Sequence, residues 1–131
     1  MAKPGTTKWF SQLQERRVAR RRGGRVSPSS GGHITDQGDV RVTRYPHADL
    51  PASEDKGDLI ECKHTGTFKK PARSISVKLD DLEKIADEAW SENRRWLLEL
   101  SIYAPGSVLA DQDGFVDLTV RSSWDDVAHG S

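Results

Sequence analysis

A single cysteine, Cys62, is all the thiol this chain carries. No disulfide can close within it, and no cysteine pair or knuckle is present to hold zinc. The four histidines, His33, His47, His64 and His129, are scattered without metal-ligand spacing, which argues against a zinc site or a histidine-metal nuclease. A phosphate-cradling Gly-x4-Gly-Lys loop is also missing. No apolar run approaches the roughly 20 residues of a membrane span, and the basic N-terminus lacks the apolar stretch of a signal peptide. These absences point to a reducing, intracellular setting with no membrane partner. Only 34% of the 131 residues are hydrophobic, so one modest core, and hence one domain, is expected. Residues 1–8 read as a flexible tail and residues 9–131 as the domain.

Charge is present in equal amounts and unequal places. Twenty basic residues balance twenty acidic ones, yet residues 1–78 hold sixteen of the Lys and Arg against eight acids. Residues 79–131 hold four against twelve. A neutral total therefore leaves room for a polyanionic partner on the basic half. The basic charge peaks at Arg16, Arg17, Arg20, Arg21, Arg22 and Arg25. Some of it complements a helix C-terminus, but six arginines in ten residues exceed what a cap requires.

Periodicity supplies the elements. Trp9, Phe10, Leu13 and Val18 have helical spacing up to about Arg22, where Gly23-Gly24 ends the helix. Ser27 to Gly32 is a small-residue loop. Residues 39–44 alternate as a strand, a polar connection follows, and residues 58–64 form a second, largely apolar strand. Gly66 to Ser74 is a basic loop carrying Lys69, Lys70 and Arg73. A second helix is expected with Asp80 as its cap, Glu83 completing a capping box, and an apolar stripe of Leu79, Leu82, Ile85, Ala86, Ala89 and Trp90. Strands follow at 95–103, with Trp96, Leu98, Leu100 and Ile102 on one face, and at 115–121. Trp9, Trp90, Trp96 and Trp124 occupy positions expected in the core. The order of elements implies an α/β fold, a central mixed sheet flanked by helices.

The chemistry centres on Glu61-Cys62-Lys63. In a strand, Glu61 and Lys63 share a face while Cys62 points into the other. A carboxylate beside an ammonium, with a further carboxylate at Asp39, is what metal-assisted phosphodiester cleavage needs: acids for a divalent cation, an amine for the water or the phosphate charge. A structural ion pair on a sheet edge is the competing reading. Asp36 and Asp58 compete with Asp39, but Asp36 suits a turn and Asp58 points to the opposite face from Glu61 by strand parity. Glu15 is the only acid in the first 35 residues. It reads equally as a surface salt bridge with a neighbouring arginine or as a third acid of the site.

A helix with Glu15, the Ser/Gly loop, Asp39 opening a strand, Glu-x-Lys on the next strand, then helix and strand resembles the PD-(D/E)xK nuclease superfamily. Within it the chain is similar to the small Holliday-junction resolvases of the archaeal type, over about Glu15 to Tyr103. The resemblance implies a restriction-endonuclease-like fold, with Glu15, Asp39, Glu61 and Lys63 at the four active-site positions and Ser30 as the serine of the Ser-Gly loop. It implies Mg2+, or Mn2+ in its place, held by Asp39, Glu61 and Glu15. It implies a homodimer that nicks opposed strands of branched DNA in the cytoplasm of a bacterial or phage-infected cell. Two departures stand out: Gly38 replaces the family's proline, and the connection around Pro46 to Lys56 is longer than usual. Arg16, Arg17, Arg20, Arg21, Arg22 and Arg25 with Lys69, Lys70 and Arg73 are then the expected phosphate grip. The alternatives are a non-catalytic nucleic-acid-binding protein built on the arginine helix, and a flap- or end-directed nuclease of the same fold.

Overall fold

The computed structural model describes residues 2–26, 39–43 and 57–121. Helix α1 spans Thr7–Arg22, strand β1 Arg25–Val26, β2 Asp39–Thr43 and β3 Gly57–Thr65. Helix α2 covers Leu79–Ser91, followed by β4 at Arg95–Tyr103 and β5 at Phe115–Val120. The five strands form one sheet in the order β1-β2-β3-β4-β5. Every neighbouring pair is antiparallel except β3 and β4, which are parallel. A parallel pair needs a crossover, and α2 supplies it. The architecture is the α/β arrangement expected, a mixed sheet with a helix on each face.

The pleat sorts the two faces. Leu59 of β3 and Trp96, Leu98 and Leu100 of β4 pack with Ile85, Ala86 and Ala89 of α2. Ile60 and Cys62, one position out of phase, pack with Val40 of β2 and Val18 of α1. Cys62 is 3% exposed and serves as a small apolar core residue. The first strand pair after α1 begins immediately at its glycine stop. Gly23 adopts φ 72°, the left-handed conformation that ends a helix cheaply only at glycine. Gly24 lies against β2, where an added Cβ would fall 2.8 Å from Val40 Cγ1 and 2.9 Å from the Arg41 carbonyl. The two glycines thus turn the chain and let it lie flat on the sheet.

Three expectations about the helices require correction. The segment before α1 is not a loose tail up to residue 8, because Thr6 is the N-cap. Its hydroxyl accepts the Trp9 N–H at 3.2 Å and donates to the Lys3 carbonyl at 2.8 Å. Helix α2 starts at Leu79 with Lys78 at the cap and no side-chain capping bond, so Asp80 is not its cap. Asp80 and Asp81 instead occupy the first turn, where carboxylates favour the positive end of the helix dipole. The apolar stripe is narrower than its periodicity suggested. Ile85, Ala86 and Ala89 are buried, but Leu79 and Trp90 are 69% and 55% exposed. Both lie at the ends of α2 and at the margin of the stripe rather than at its centre. Of the four tryptophans, only Trp96 is a core residue among those described; Trp9 is half-buried, and Trp124 lies outside the described residues.

Candidate active site

Asp39 and Glu61 are directly paired across the antiparallel β2–β3 ladder. Paired residues of such a ladder have Cα atoms about 4.5–5.5 Å apart. Strand positions 39, 41, 59 and 61 fall on one side of the pleat. On that side the Arg41 guanidinium meets α2, bonding Glu88 at 3.2 Å and Glu92 at 2.8 and 2.9 Å. The Arg41 hydrogen bond holds the Glu92 carboxyl below the usual carboxylate range. The side chain of Asp39 lies outside the described residues. Its register position satisfies the backbone requirement of a two-carboxylate site.

Glu61 and Lys63 do share a face, as their spacing dictates. Both line a cavity of about 300 Å³ between β3 and α2. Asp81, Lys84 and Glu88 complete its charged wall, and Leu98 of β4 contributes an apolar part. The Lys63 ammonium donates to the Ser76 carbonyl, in the segment that leads into α2. This bond ties the amine, on the strand that carries Glu61, to that segment. Asp81, Lys84 and Glu88 escaped the sequence reading. Their spacing of three and four along α2 was the available signal, since it marks one helix face bordering the buried stripe of Ile85 and Ala89.

Glu15 lies elsewhere. It is 9% exposed on α1, the helix that packs against Ile60 and Cys62 on the face opposite to Glu61 and Lys63. It does not line the cavity. Its neighbour Gln14 donates to the carbonyls of Lys63 and Glu99 at 3.1 and 3.0 Å, pinning α1 to β3 and β4. Among the described residues, no three His, Cys, Asp or Glu side chains gather as a metal-holding group. Ser30 lies outside the described residues, as does the side chain of Arg25.

The arginine helix differs most from its expected role. Arg17 pairs with Asp117 of β5, approaches Asp111 at 3.4 Å and stacks over the Phe115 ring at 4.4 Å. Arg22 donates to Glu99 at 2.7 Å and to the Thr119 hydroxyl at 3.1 Å. Arg21 reaches both Glu99 and Asp117, at 3.5 and 3.4 Å. Glu99 is only 1% exposed, so its charge is tolerated because these guanidinium groups surround it. Arg17, Arg21 and Arg22 therefore hold α1 to the sheet, a structural role that the sequence reading of a phosphate grip did not include. Arg16 and Arg20 are exposed and have no hydrogen-bonded or ion-paired partner among the described residues. Lys69, Lys70 and Arg73 are exposed as well. Their loop is anchored by Phe68, whose ring meets Trp9, Phe10 and Tyr103 at 5.6, 4.9 and 5.2 Å.

Compared with protein-family models, with curated proteins and with solved structures, the chain shows no match.

Proposed function

We propose that this protein is a Mg2+-dependent endodeoxyribonuclease with a restriction-endonuclease-like fold, acting on branched DNA and resolving four-way junctions by paired nicks. The observation that carries the reading is the register of Asp39 opposite Glu61, with Lys63 on the same face of β3 and both β3 side chains lining one cavity. The donors around that cavity are carboxylate oxygens, without thiol or imidazole. Such donors suit a hard cation, and magnesium needs only one or two carboxylates because waters and substrate phosphate fill its other positions. Mn2+ fits the same oxygen set.

Asp39 and Glu61 would hold the ion; when bound, it supplies charge neutralisation for the attacked phosphate and its leaving oxygen. Lys63, fixed by the Ser76 carbonyl, orients the water on the Glu61 side of the cavity and steadies negative charge at the phosphate. Leu98 and the α2 stripe close the inner wall and keep bulk water from that side. Arg16, Arg20, Lys69, Lys70 and Arg73 are among the exposed cations available to flanking phosphates. None of these is a base-reading constellation, so recognition is of DNA shape. Two coordinated nicks call for a symmetric homodimer, each copy contributing one site. Glu15, on the helix that covers the far side of the sheet, is not among the residues that line the cavity.

The test is competition of a four-way junction against linear duplex and flap substrates, with Mg2+ present or withheld, for the wild type and Glu61→Ala. Junction nicking that requires Mg2+ and vanishes in Glu61→Ala while DNA binding persists is the expected result. Binding without nicking in the wild type overturns the enzyme, and preference for flaps or ends overturns the junction assignment.

A further inference from the structure

Lys84 stands across the cavity from the Glu61–Lys63 strand. It projects from α2 three residues after Asp81 and four before Glu88, and all three line the same space. The helix is fixed there by Ile85 and Ala89, buried at 5% and 0%, so the face bearing Lys84 cannot rotate away. The cavity has two ammonium groups, and they are not equivalent. Lys63 is engaged by the Ser76 carbonyl. Lys84 is exposed and has no hydrogen-bonded or ion-paired partner among the described residues. Glu88, its neighbour one turn on, is drawn to Arg41 at 3.2 Å.

We infer that Lys84 is the phosphate-binding cation of this cavity, meeting a phosphate oxygen of the bound strand while Lys63 stays beside the reacting phosphate. The inference rests on the nuclease reading and adds to it a substrate contact from α2. A compact ammonium on a flexible stem suits this task, since it can follow a phosphate without bidentate geometry. The contact is electrostatic and independent of sequence. Its signature is counterion release: each neutralised phosphate contributes about 0.9 to the slope of log binding constant against log salt.

The test measures junction binding by fluorescence anisotropy in EDTA across a salt series, for wild type, Lys84→Ala and Lys84→Arg. Lys84→Ala is expected to weaken binding at low salt and flatten the slope by about one unit, with Lys84→Arg keeping the wild-type slope. Circular dichroism checks that α2 is intact, which alanine on an exposed helix face favours. A wild-type slope and affinity in Lys84→Ala overturn the inference. Nicking in Mg2+, assayed in parallel, separates the two failures. If Glu61→Ala abolishes nicking while Lys84→Ala binds as wild type, only the role of Lys84 falls. If Glu61→Ala nicks normally, the proposed function falls and takes this inference with it.

Discussion

The rings of Phe10 and His64 lie within 6° of parallel, with centroids 4.8 Å apart, so the first turns of α1 rest on the end of β3 through an imidazole. The imidazole Nε2 bonds the Gly66 carbonyl at 2.8 Å, while Nδ1 is buried without a partner among the described residues. Burial lowers the His64 pKa below 6.5, and the nearby Arg17 guanidinium pushes in the same direction. The Gly66 carbonyl and Asp117 oppose the shift without cancelling it. The unfolded chain therefore binds the proton more readily than the folded one between the two pKa values. Stability is complete above about pH 6.5 and falls as the pH drops toward the lowered folded value. Urea midpoints measured from pH 8 to pH 5 should decline through this window. The decline should shrink in His64→Phe, which keeps an aromatic ring on Phe10 and cannot titrate.

The paired arginines of α1 predict a split between stability and binding. Removing Arg22 strips Glu99 of its closest cation and leaves a carboxylate that is 1% exposed. Breaking one side of a buried pair costs about 3–5 kcal/mol, and Arg21 at 3.5 Å offsets part of it. Arg22→Ala should lower the urea midpoint clearly. Arg16→Ala and Arg20→Ala should change stability by less than about 0.5 kcal/mol, as exposed substitutions without partners do. If the pair serves DNA, those two variants should instead flatten the salt dependence of binding. Equal midpoints for Arg22→Ala and Arg16→Ala would remove the distinction.

Close approach at the end of α1 makes Gly24 the most sensitive glycine of that turn. A methyl group there would meet Val40, Arg41 and Val42 of β2 within 2.9 Å, and the Arg41 contact is backbone. The strand would have to move, so Gly24→Ala should destabilise by about 1–3 kcal/mol. Gly23→Ala acts by a different route, through the left-handed φ of 72°, with open space around the added methyl group. It should cost about 1 kcal/mol. Chemical denaturation of both variants checks the order.

Much of this fold was legible because binary patterns are local. The period-2 run of Trp96, Leu98, Leu100 and Ile102 gave β4, and Ile85, Ala86 and Ala89 gave the buried side of α2. The shared face of Glu61 and Lys63 followed from parity alone. What could not be read depends on tertiary distance. Nothing local to Arg17, Arg21 and Arg22 says that Glu99 and Asp117, more than 70 residues on, will neutralise them. Nothing in the helix pattern says which sheet face α1 will cover, and that choice separates Glu15 from Glu61. The amphipathic period likewise marks Leu79 and Trp90 as apolar-face positions without revealing that both stay exposed.

Lys63 gives the sharpest functional prediction, because its amine is placed by a bond that a simple change of charge leaves identifiable. The ammonium donates to the Ser76 carbonyl, so the side chain is tied to the segment that leads into α2. Lys63→Met keeps the aliphatic stem and removes the donor; Lys63→Arg keeps the charge but replaces a compact ammonium with a planar fork that cannot occupy the same point. If Lys63 orients the water and stabilises developing charge, Lys63→Met should lower the single-turnover nicking rate by about 10²-fold or more. Lys63→Arg should recover little of that loss, since position rather than net charge is what the step uses. Junction affinity in EDTA should change far less than the rate, because other exposed cations remain for the DNA backbone. A rate for Lys63→Met within a few-fold of wild type would mean that the amine serves only to tie β3 to the segment at Ser76.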